Sequence, residues 1–152
     1  MRIRFAAAAF VYTLLFSPAA QASGGLWCTI EDHNLSMTVE SGVTHGLGSP
    51  LFNFRAAAEL KAEGIAPDFR KLTLDDKLVH HWLDNDESRL SFYIEREQGE
   101  YGSVEIVIET AGDPEEGDLP GTYQAAYFES ARQTAGNDGY LRFEGKASCG
   151  GE

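Results

Sequence analysis

The stretch that decides the fold is Phe52-Asn53-Phe54-Arg55-Ala56-Ala57-Ala58-Glu59-Leu60-Lys61-Ala62. Read with a period of two, Phe52, Phe54, Ala56, Ala58, Leu60 and Ala62 share one face. Asn53, Arg55, Glu59 and Lys61 take the other, with Ala57 between them. The alanines have good helix propensity, so a helix is the rival reading. A helix would scatter Phe52, Phe54 and Leu60 around its surface, whereas a strand gathers them. The spacing predicts a long strand over 52–62.

The same alternation recurs on both sides of that stretch. Leu26, Cys28 and Ile30 alternate with Trp27, Thr29 and Glu31; Leu35, Met37 and Val39 alternate with Ser36, Thr38 and Glu40. Leu90, Phe92 and Ile94 alternate with Ser91, Tyr93 and Glu95, and Val104, Ile106 and Ile108 with Glu105, Val107 and Glu109. Near the end, Leu141, Phe143, Gly145, Ala147 and Cys149 alternate with Arg142, Glu144, Lys146 and Ser148. Segment 121–130 is less regular but holds the strand formers Thr122, Tyr123, Tyr127 and Phe128. Leu72 and Leu74 suit a short strand, and 77–84 reads as a strand paired with 88–97 through the turn at Asp84–Glu87.

Turn-rich segments punctuate these runs at 32–34, 42–50, 64–68, 98–102, 112–121 and 135–139. One apolar and one polar face per strand is the antiparallel signature. The expected fold is therefore all-β: a small antiparallel up-and-down barrel of about eight strands, lipocalin-like, with a sandwich as the alternative.

The first residues read as an export signal. Arg2 and Arg4 precede the apolar run Phe5–Phe16; Pro18 breaks it, and Ala20-Gln21-Ala22 has the small-x-small form of a cleavage site. The expected division is a signal peptide over 1–22 and one domain over 23–152, periplasmic or secreted. The run is too short for a spanning helix, which needs roughly 20 apolar residues. Loss of Arg2 and Arg4 takes the net charge from −12 to −14. Such a surface repels nucleic acid and anionic lipid, so neither is an expected partner.

Cys28 and Cys149 are the two cysteines, and an oxidising compartment favours their pairing. Both fall on the apolar register of the first and last predicted strands. Neighbouring first and last strands are what a closed barrel requires. The bond is thus expected to close the barrel on itself.

Candidate chemistry is sparse. His80 and His81 are adjacent, so on a strand they point to opposite faces and do not share a metal. His33 lies in a turn and His45 in a Gly-rich loop. Asp84, Asp86, Ser88 and Glu95 imitate a calcium loop, but Arg89 stands where that loop needs glycine. The acidic loop Asp113–Asp118 suits a solvated turn or a basic partner surface. No nucleophile elbow or phosphate-cradling glycine loop is present, and no metal, cofactor or catalytic residue is expected.

The remaining candidates are aromatic. Phe52, Phe54, Trp82, Phe92, Tyr123 and Tyr127, with Phe143, are expected to line a barrel interior. Inward Ala56, Ala58, Ala62, Gly145 and Ala147 would leave room among them for a ligand. The form resembles small secreted barrels such as lipocalin-like binders and bacterial periplasmic inhibitors of proteases or lysozyme. The Ser-Gly-x-x-Tyr segment of the lysozyme-inhibitor type is absent. Two functions follow as expectations. The first is a non-enzymatic binding protein holding a small apolar or amphipathic ligand among those six aromatics. The second is a protein-interaction or inhibitor module acting through loops 42–50 and 113–121. An enzyme would need His80 or His81 to meet carboxylates in a cleft.

Overall fold

The computed structural model describes residues 23–44, 51–84, 86–113, 115 and 117–151. The export signal lies outside the described residues, as does most of the Gly-rich loop with His45. Nine strands form among the described residues: β1 (Ser23–Glu31), β2 (Leu35–Thr44), β3 (Leu51–Leu60), β4 (Lys71–Thr73), β5 (Leu78–Leu83), β6 (Glu87–Glu95), β7 (Gly102–Ala111), β8 (Leu119–Glu129) and β9 (Tyr140–Gly151). They make one antiparallel sheet in the order β4-β3-β2-β1-β9-β8-β7-β6-β5.

The first and last strands pair, and Cys28 stands directly opposite Cys149. The two are disulfide-bonded, with Cα atoms 4.0 Å apart, and both are buried. The expected staple between chain ends is therefore present, at the middle of the sheet order.

The edges of the sheet are β4 and β5, although only residues 74–77 separate them in the chain. The sheet must therefore curl until its edges approach. An odd number of strands cannot alternate direction around a ring, and the pairing registers show how this is resolved. Every neighbouring pair is antiparallel, so counting through the sheet makes β4 and β5 run the same way. A hydrogen-bonded turn joins them, with the Lys77 N–H donating to the Leu74 carbonyl at 3.1 Å; β4 pairs with β3, and β5 with β6. No ladder joins β4 to β5.

One end of the curl is plugged. Segment 61–70 folds over it through a short 3-10 turn at Pro67–Phe69, burying Ile65 and Phe69 in the core. Arg96 holds the plug down. Its guanidinium reaches Asp68 at 2.6 and 3.2 Å and Glu129 at 2.5 and 3.1 Å, and it lies 5.0 Å above the Phe69 ring. The opposite end carries the turn after β5 and the acidic loop after β7.

The interior follows the predicted alternation with one correction. Phe52 was expected to face inward with Phe54. Opposite Glu40–Gly42 of β2, a bulge on β3 inserts one residue, with Asn53 in the left-handed region at φ 52°. That extra residue reverses the register, so Phe52 lies on the outer face over Gly42, where a Cβ would overlap its ring. Asparagine tolerates this backbone better than most residues.

Candidate binding surface

The six aromatics expected to line one cavity separate into three environments. Phe92, Tyr123 and Tyr127 are inside and fully buried as packing residues of the core. Phe54 is half-buried and tilts against Phe92, with ring centroids 6.1 Å apart. Phe52 and Trp82 are outside, at 41% and 57% exposure. The structure brings Phe54 and Phe92 together and does not bring the six to one site.

One of the small inward residues makes room for a neighbouring ring. Gly145 pairs with Tyr123, and a Cβ on Gly145 would stand 2.6 Å from the tyrosine ring. The absent side chain is the space that the ring occupies. Tyr123 donates its hydroxyl to Asp32 at 2.7 Å, and the same carboxylate accepts the N–H groups of Asn34 and Leu35. Burial opposes ionisation of Asp32, but these hydrogen bonds outweigh it and hold the carboxyl below its ordinary value. Burial and Asp32 together push the Tyr123 phenol up. Tyr127 donates to Glu129 and accepts the Ala66 N–H at 3.3 Å. Arg96 chiefly holds Glu129 and Asp68 below their ordinary values. These groups latch the plug and the first turn with charges matched.

The histidines take opposite faces of β5. His80 is exposed on the outer side, opposite Ser91, and His81 is half-buried and turned inward, opposite Leu90. His33 is exposed in the first turn. Among the described residues, no three His, Cys, Asp or Glu side chains gather as a metal site would require. Asp113 accepts the Glu115 N–H at 2.9 Å, an ordinary turn within the acidic loop.

The surface with unspent binding capacity is β5 itself. Its sequence, Leu-Val-His-His-Trp-Leu, is rich in strand formers and holds no Asp, Glu, Lys or Arg. β6 covers one edge; the other has no strand partner among the described residues. The Asp84 N–H bonds to the Glu87 carbonyl at 2.9 Å, which makes Asp84–Glu87 a hydrogen-bonded pair. Such pairs alternate along an antiparallel ladder, so Trp82–Arg89 and His80–Ser91 also bond. The backbone groups of His81 and Leu83 then point away from β6, toward the free edge.

Side chains next to that edge are apolar and exposed: Trp82, and Val79 at 61%. Val79 lies at a register shift between Leu78 and His80, so it escapes the alternation. On the outer face beside them runs an open groove of about 640 Å³, lined by His80, Trp82, Arg89, Glu109, Pro120 and Thr122 among others. Arg89 and Glu109 pair across its floor. Periodicity alone misassigns Trp82. The turn Asp84–Glu87 would have placed it correctly, because it sets Trp82 opposite the outward Arg89. Tyr93, Tyr101 and Tyr140 are also exposed on the outer surface.

No helix among the described residues is long and apolar enough to cross a membrane. Comparison with protein-family models, with curated proteins and with solved structures returns no match.

Proposed function

We propose that this chain is a periplasmic or secreted, non-enzymatic binding module that engages a protein partner through the outer face and free edge of β5. The observation behind this reading is the division of its aromatics. Phe92, Tyr123 and Tyr127 are consumed by core packing, whereas Trp82 and Val79 stand exposed on a strand with one edge unpaired among the described residues. Exposed aromatics near an edge without Asp, Glu, Lys or Arg suit a protein contact better than a barrel-held ligand, since aromatic anchors dominate such interfaces.

The test is capture from an extract of the source cells, using the native protein and the Trp82→Ser variant side by side. Trp82 packs little, so the variant is expected to fold normally. A stoichiometric protein retained by the native form and lost by the variant supports the reading. Equal capture by both forms, or a small apolar ligand retained by the native form in native mass spectrometry, overturns it.

A further inference from the structure

We infer that the partner binds as an added β-strand along the free edge of β5, and that the segment it supplies is extended and basic at both ends. This rests on the protein-binding role proposed above and specifies its chemistry. An unpaired edge offers main-chain hydrogen bonds to any extended segment, and flanking side chains choose among segments. On β5 the offered groups are the backbones of His81 and Leu83, two residues apart, as one edge of an added strand requires. Exposed Val79 and Trp82 supply cross-strand contacts to its side chains.

The charges select the ends. Asp75 precedes β5, while Asp86 and Glu87 follow it. The nearby cations are matched by carboxylates of their own, Lys77 by Asp76 at 3.1 Å and Arg89 by Glu109, so these two pairs add no net charge beside the strand. An apolar strand bracketed by carboxylates fits an apolar segment bracketed by lysine or arginine. The same bracket disfavours a second copy of this chain. Antiparallel pairing of β5 with itself would bring Asp75 of one copy toward Asp86 and Glu87 of the other, on a chain whose net charge is already −12.

The experiment titrates the intact protein with synthetic peptides. The probe has six alternating valine and threonine residues with two lysines at each end. Controls carry glutamates at the ends, a central proline, or N-methyl groups on alternate residues. The lysine-ended probe is expected to bind at least tenfold more tightly than every control, and to weaken as salt is raised. The variant His81→Pro removes one free-edge N–H and is expected to weaken binding at least tenfold with its circular dichroism unchanged. If that variant does not fold, the N-methylated probe tests the same hydrogen bonds without altering the protein.

Equal binding of the glutamate-ended peptide overturns the charge assignment. Equal binding of the proline or N-methylated peptide overturns strand addition. A native dimer that His81→Pro dissolves makes a second copy the occupant and overturns the proposal. If the lysine-ended probe fails while Trp82→Ser still abolishes capture of a cellular partner, strand addition fails and the protein-binding role stands. Failure of both removes both.

Discussion

Tyr123 lies over Gly145, the residue directly opposite it on the neighbouring strand, and its hydroxyl reaches across to Asp32 at 2.7 Å. This contact shows that the space left at Gly145 is taken by the tyrosine ring. Gly145→Ala would push a methyl group into a ring fixed at both ends. The expected cost is about 1–3 kcal/mol, as for other overpacked cores. Tyr123→Phe keeps the ring and removes the bond to a carboxylate, at an expected cost of about 1.5–3 kcal/mol. Urea denaturation of both variants checks this. Wild-type stability in either would contradict the packing described.

The plug gives a second expectation. Arg96 and Glu129 expose only 14% and 12% of their side chains, so Arg96→Met strands Glu129 in a largely dry site. A loss of about 3 kcal/mol is expected. Arg142 and Asp138 are paired at 2.8 Å but are more than half exposed, so Arg142→Met should change stability by less than about 1 kcal/mol. Thermal melts of the two variants should separate clearly; coincident melts would contradict a structural role for the Arg96 cluster.

Stability should also depend on pH at both extremes. Asp32, Asp68 and Glu129 titrate below their ordinary values of 3.8, 3.8 and 4.5 when folded. Their contribution is whole above those values and is lost as the pH falls through the depressed ones. Tyr123 and Tyr127 are raised above 10.0, chiefly by burial and then by their carboxylate partners. Their contribution is whole below pH 10 and is lost as the pH rises past it. Denaturation midpoints should therefore be level between roughly pH 5 and 9 and fall on either side. A midpoint at pH 3 equal to that at pH 7 would contradict this.

The disulfide yields a fourth expectation. Cys28–Cys149 closes a loop of sequence separation 121, worth about 4–5 kcal/mol in the chain-entropy model. The β1–β9 ladder and the core remain when it is reduced. Reduction should lower the denaturation midpoint while the β-sheet circular dichroism persists in native buffer. Complete unfolding on reduction would contradict a core that stands without the staple.

Much of this was legible in the residues. Alternation located the strands, and the inward register of Cys28 and Cys149 gave the pairing of first and last strands. The turn at Asp84–Glu87 paired β5 with β6 correctly. What escaped were single-residue insertions, because a period of two carries no record of a bulge. Asn53 moves Phe52 outside, and the shift at Val79 disguises the face of Trp82. Gly145 misled for another reason: a small residue marks space, and sequence does not say which neighbour fills it. The placing of β4 and β5 at opposite ends of the sheet order was hidden, because the two are neighbours in the chain yet pair with β3 and β6.

The central claim is that β5 offers an unsatisfied edge to a strand-forming partner. Amide hydrogen exchange of the intact protein, alone and with the lysine-ended peptide, tests it most directly. In the free protein, His80 and Trp82 should exchange slowly and His81 and Leu83 quickly, since only the first two bond to β6. With the peptide, His81 and Leu83 should become protected while the rest of the sheet is unchanged. Protection of His81 and Leu83 already in the free monomer, or none in the bound state, would contradict the account.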